Sequence, residues 1–135
     1  MPVADEIRVV IRSNLDIVTA RQESRVLASR AGFSATDVTL IATAISELAR
    51  NIVSYARDGE IELRIVENPG TRGIMIISRD TGPGIRCVED AMRDGFSTSG
   101  GLGLGLPGVR RLMDEFIIES VPGLGTTICV TKWLK

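Results

Sequence analysis

Histidine does not occur anywhere in the 135 residues. Its absence removes Ser-His-Asp and Cys-His pairs, imidazole metal sites and a phosphohistidine relay within the chain. Cysteine is nearly absent too, with only Cys87 and Cys129, each beside apolar residues. Two thiols make neither a disulfide scaffold nor a four-ligand zinc site, and they read as buried, inert groups in a reducing compartment. Basic excess is missing: the formal net charge is −1. Nothing is left over to neutralise phosphates on a nucleic acid or an anionic membrane. The basic residues are scattered, and the doublet Arg110-Arg111 reads as a solvated helix face. No apolar run approaches the roughly 20 residues of a membrane span. The N-terminus carries Asp5, Glu6 and Arg8 and lacks a signal-peptide core, so a cytoplasmic protein is expected.

What is present suits a single domain over residues 1–135. A chain of this length buries about two-thirds of its unfolded surface and folds without staples. Ile7, Val9 and Ile11 alternate with Arg8 and Arg12, a strand pattern. Asn14 or Asp16 can cap a helix with apolar positions at Ile17, Ala20, Leu27, Ala28 and Ala31, stopped at Gly32. Ser34 and Asp37 have capping-box spacing for a second helix, whose apolar stripe is Val38, Ile41, Ile45, Leu48 and Ile52. Arg57-Asp58-Gly59 ends it. Ile61, Leu63 and Ile65 alternate as a strand, and Ile74 to Ile77 is continuously apolar, as in a more buried strand. Asn68-Pro69-Gly70 between them is turn chemistry, so the two form an antiparallel pair. A glycine-rich stretch follows, with a short helical segment near Val88 to Arg93. Pro107 suits the first turn of a helix through Val109, Leu112 and Met113. Phe116 to Val121, a Pro122-Gly123 turn and Thr126 to Trp133 complete a hairpin. The order predicts an α+β two-layer sandwich, with helices packed on one face of a mixed, mostly antiparallel sheet.

Three segments carry chemistry. Glu47 and Asn51 lie four apart, so both leave one face of the second helix, away from Leu48 and Ile52. The carboxylate can accept a proton and the amide oxygen can ligate Mg²⁺ beside phosphates; a solvated surface pair is the plain alternative. Asp80-Thr81-Gly82-Pro83-Gly84-Ile85 follows a buried strand directly. An Asp there can accept from an exocyclic amine such as that of adenine, with glycines admitting a flat ring, or the segment is simply a tight turn. Gly101-Leu102-Gly103-Leu104-Gly105-Leu106 leads into a helix after Ser97-Thr98-Ser99. Successive N–H groups and a helix N-terminus there favour phosphate over a bare linker. Gly103, Gly105 and Gly108 satisfy G-x-G-x-x-G, but no strand precedes them as a dinucleotide fingerprint requires. Neither a Walker A motif nor the signatures of eukaryotic-type protein kinases occur.

Taken in order, Glu47-Leu-Ala-Arg-Asn51, Asp80-Thr-Gly-Pro-Gly84-Ile85 and Gly101-Leu-Gly-Leu-Gly105 resemble the N, G1 and G2 boxes of the gyrase/Hsp90/histidine-kinase/MutL ATPase superfamily, with its Bergerat fold. Gly123-Leu-Gly125-Thr126-Thr127 stands where that family's last box lies. The resemblance implies ATP and Mg²⁺ as cofactors. It implies Asn51 as the metal ligand, Asp80 as the partner of the adenine amine, and Gly82, Gly84 and Ile85 around the base. Gly101, Leu102, Gly103, Leu104, Gly105 and Leu106 would form the phosphate-binding end of an ATP lid. Thr126 would support the adenine contact through its hydroxyl, and Glu47 would be the general base. Arg50 and Arg57 could also reach phosphates, a surface role being the simpler reading of either. With neither a transducer domain nor histidine-bearing dimerisation helices, the sequence resembles the bacterial anti-sigma-factor type of serine kinase. Within that group, the segment from Gly101 to Phe116 is similar to stressosome switch kinases of the RsbT type. That implies STAS-domain scaffold or antagonist proteins as substrates and a PP2C-type phosphatase as downstream target. The alternatives are an anti-sigma-factor kinase that binds a sigma factor directly, a nucleotide-gated binding module without catalysis, and a stand-alone ATPase.

Overall fold

The computed structural model describes residues 6–56, 58–82 and 105–134. The expected helical segment at Val88 to Arg93, together with Arg57, Gly84, Ile85, Cys87 and Gly101 to Leu104, lies outside the described residues. Alternation sets the sheet. On β1 (Glu6–Ile11), Val9 and Ile11 are buried while Arg8 and Val10 face away. β2 (Gly59–Asn68) and β3 (Thr71–Asp80) follow, joined through Pro69-Gly70, where Gly70 takes φ +87°. Asn68 pairs with Thr71 and Gly59 with Asp80, so the tight turn sets the whole register of this antiparallel hairpin. β4 (Glu115–Val121) and β5 (Gly125–Trp133) form the second hairpin. The strand order is β1-β2-β3-β5-β4. All four pairings are antiparallel, so among the described residues the sheet has no parallel pair and is simpler than the mixed sheet expected.

The helices α1 (Asn14–Ala31), α2 (Ala35–Tyr55) and α3 (Gly105–Leu112) cover one face, as the two-layer sandwich requires. Ser13, rather than Asn14 or Asp16, occupies the N-cap of α1. Asp16 reaches back from the first turn to accept from the Ser13 N–H at 3.1 Å and the Arg12 N–H at 2.8 Å. Gly32, at φ +104°, closes α1 as expected. Ser34 caps α2 by accepting from the Asp37 N–H at 3.1 Å. Small residues Ala20, Ser24 and Ala28 are fully buried on α1, which lets its backbone approach α2 closely. Ile41, Ile45, Leu48 and Ile52 of α2 meet Ile61, Leu63, Ile74 and Ile76 of the sheet in the core. Each such side chain contributes roughly 1.5–3 kcal/mol on burial. Gly59 opens β2 rather than stopping the helix, because α2 already ends at Tyr55.

The helix-free face is mostly charged toward β1. Glu62 is 1% exposed there, and Arg8, Arg64 and Arg79 all form ion pairs with it. Cys129 is free and partly buried, and burial, together with the charge of Glu115, pushes its thiol up, consistent with an inert group.

Candidate functional site

α2 carries the first two site residues on a face distinct from its core stripe. Glu47 is only 6% exposed, which excludes the solvated surface pair for this carboxylate. Asn51, one turn on, is half-buried. Both oxygens of Glu47 are engaged. Oε1 accepts from Arg50 Nη1 at 2.5 Å, and Oε2 accepts from the backbone N–H of Gly105 at 3.3 Å. Gly105 is the first residue of α3 and sits at φ +68°, a conformation that suits glycine. The glycine-rich run therefore ends against the carboxylate of α2. Leu106 turns inward and packs in the core, so its side chain anchors the start of α3. Pro107 falls in the first turn of that helix, as expected.

Asp80 closes β3 at the other side of the site. Its Oδ1 accepts two backbone N–H groups, from Gly82 at 3.0 Å and from Thr126 at 3.3 Å. Two fixed donors on one oxygen hold the plane of the carboxylate. Among the described residues, both of these bonds fall on Oδ1 and none falls on Oδ2. Thr126 is buried on β5 opposite Asp80, and its hydroxyl lies 2.9 Å from that of Ser120. Its bond to Asp80 thus runs through the main chain, while the hydroxyl is engaged with β4.

Close approaches shape this end of the sheet. A Cβ on Gly82 would lie 2.6 Å from the Cβ of Ala56, so the turn after β3 packs against the end of α2. A Cβ on Gly59 would lie 2.4 Å from the Arg79 carbonyl oxygen and 3.0 Å from the Asp80 Cβ. Gly59 and Ser120 shape the site without having been singled out for it by motif, and Arg50, read from sequence as a surface group or a phosphate contact, meets Glu47. The glycine of Asp58-Gly59 reads as turn chemistry until the opposite strand is known. An open groove of about 650 Å³ also runs past Asp80 and Thr81, with Arg12, Arg79 and Thr127 on its walls. No cluster of three or more acidic, cysteine or histidine ligands occurs among the described residues.

Residues 12–132 match the histidine kinase-like ATPase domain. Over 131 residues the chain is 53% identical to the serine/threonine-protein kinase RsbT of Bacillus subtilis (strain 168), covering 97% of this chain and 98% of that protein. The chain belongs to the histidine kinase-like ATPase family and is a serine/threonine kinase of the RsbT type. The superfamily resemblance of the three boxes is thereby borne out, and ATP is the nucleotide such a domain uses. Similarity to anti-sigma F factors is lower. It is 34% for the protein of Caldanaerobacter subterraneus subsp. tengcongensis, with 73% of this chain and 71% of that protein covered. The anti-sigma F factor of Bacillus subtilis (strain 168) is 32% identical over the same shares. Among solved structures, the mycobacterial sensor histidine kinase MprB superposes with a TM-score of 0.56 over 95% of this chain and 97% of that one. At 15% identity, that match speaks for the fold alone. No helix among the described residues is long and apolar enough to cross a membrane.

Proposed function

We propose that this RsbT-type kinase transfers the γ-phosphoryl group of Mg·ATP to a serine or threonine hydroxyl of a STAS-domain scaffold or antagonist protein. On release from that partner it activates a PP2C-type phosphatase, in a cytoplasmic stressosome pathway, with residues 1–135 acting as a single catalytic domain. The observation that carries the catalytic half is the buried Glu47 carboxylate meeting the first N–H of α3 at 3.3 Å. It supports reading Glu47 as the proton acceptor beside the run that would bind phosphate. The 53% identity to RsbT supports the partner half.

In this reading the acceptor oxygen forms a bond to the γ-phosphorus while the bond to the ADP oxygen breaks. The hydroxyl proton passes to Glu47. Asp80 accepts from the adenine amine through Oδ2, with Gly82, Gly84 and Ile85 leaving room for the ring. The run from Gly101 to Leu106 and the N-terminus of α3 offset the charge on the phosphates. Asn51 would hold Mg²⁺, and the residues fit: one carboxamide beside substrate phosphates suits an ion that keeps several waters. When bound, the ion neutralises charge on the phosphates.

The test is transfer of labelled γ-phosphate from Mg·ATP to purified STAS-domain scaffold proteins. Wild type should label a scaffold Ser or Thr. Asp80→Asn should lose both labelling and ATP binding. Glu47→Ala should bind ATP but transfer about 100-fold more slowly, within the usual range for removing a general base. Normal transfer by Glu47→Ala would remove the base assignment. Unlabelled scaffolds despite normal ATP binding, with capture of a sigma factor instead, would favour the anti-sigma reading.

A further inference from the structure

Arg50 takes no part in the mechanism just described, yet its guanidinium is the side chain that touches the proposed base. The carboxylate of Glu47 is inside, at 8% side-chain exposure, while Arg50 sits at the rim at 43%. The stability such a half-exposed pair adds at i,i+3 spacing on a helix is small. Its geometry is more informative. A charge-assisted bond from Arg50 Nη1 holds Oε1 of Glu47, whereas the neutral backbone bond from Gly105 to Oε2, at 3.3 Å, is long and weak. One oxygen is anchored and the other faces the head of α3, where the acceptor hydroxyl must arrive in the reading above.

We propose that Arg50 is a positioning residue for phosphoryl transfer, holding Oε1 of Glu47 so that Oε2 is aimed at the acceptor hydroxyl. The proposal rests on Glu47 being the base, and the experiment separates the two. Arg50→Met keeps the aliphatic stem over the helix, Arg50→Lys keeps the charge, and Glu47→Ala is assayed beside them. The readouts are kcat for scaffold phosphorylation, ATP affinity by direct binding, and a thermal melt to establish folding. Arg50→Met is expected to lower kcat by about 10- to 100-fold, the scale of a small misplacement of a reacting group. ATP affinity should stay within about twofold, and Arg50→Lys should recover most of the rate. A structural role alone would lower the melting temperature and leave kcat per folded molecule unchanged, which would overturn the proposal. Loss of ATP affinity in step with rate would also overturn it, placing Arg50 on the phosphates instead. So would a lysine variant as slow as the methionine one. If Glu47→Ala is slow and Arg50→Met is not, positioning fails while the base reading stands. If Glu47→Ala transfers normally, the base reading itself has failed and the proposal falls with it.

Discussion

At Gly125 the backbone takes φ +135°, and a Cβ there would lie 2.1 Å from the carbonyl oxygen of Asp80. Both facts act on one site. The next residue, Thr126, gives its N–H to Asp80, so any shift of Gly125 moves a donor that holds the carboxylate. Gly125→Ala is therefore expected to destabilise by about 2 kcal/mol or more, from overpacking and backbone strain together. It should also weaken ATP binding. Urea melts and a nucleotide titration check this, and a variant that melts and binds like wild type would show that strand β5 can move away without cost. At this scale the sequence was partly legible. Glycine in a box suggests room for a ligand, but Gly125 makes room for a neighbouring strand, which is visible only in the register of β3 with β5.

At the scale of an element, β2 is two-sided. Ile61 and Leu63 face the helices, and between them Glu62 is buried on the opposite face under three arginines. Burial pushes the Glu62 carboxyl up, but hydrogen bonds from Arg79 and Arg64 and their positive charge outweigh it and hold the carboxyl below its ordinary range. A lowered value in the folded state means stability that is fully present above the unfolded value, about 4.3, and lost as pH falls through the folded one. Glu62→Gln should thus cost on the order of 1–2 kcal/mol at pH 7, the arginines being half-exposed. The gap to wild type should shrink below about pH 4. Denaturant melts at pH 7 and pH 3.5 measure it, and an equal gap at both would mean that the ionised form is not what the arginines stabilise. Alternation alone marks Glu60, Glu62 and Arg64 as a polar face. It does not tell which one is buried, since that depends on arginines from β1 and β3 as well as from β2.

For the whole molecule, nucleotide binding and folding are linked. The proposed site joins α2, β3, α3 and β5, so ATP that binds there only in the folded chain must stabilise all of them. At 100 times its Kd, ATP should add about 2.7 kcal/mol and raise the melting temperature by several degrees. Asp80→Asn should show little of that rise at the same concentration. A melting temperature of wild type that is indifferent to ATP would mean that the folded chain does not bind the nucleotide in preference to the unfolded one.

The amino-acid pattern by itself determined the order of the described elements, both hairpins, the helix caps at Ser34 and Gly32, and the family to which the chain belongs. These rest on local periodicity, turn chemistry and short motifs, which a chain carries without reference to distant residues. Only the tertiary structure decided what those motifs do to one another. Glu47 and Gly105 are 58 residues apart in the chain, and Asp80 and Thr126 are 46 apart. The burial of Glu47, the anchoring of its Oε1 by Arg50 and the pinning of Asp80 Oδ1 by two backbone donors depend on how α2, α3 and β5 pack against the end of β3. Packing is a property of the assembled core, where the sheet register and the close approach of glycines set which groups can meet.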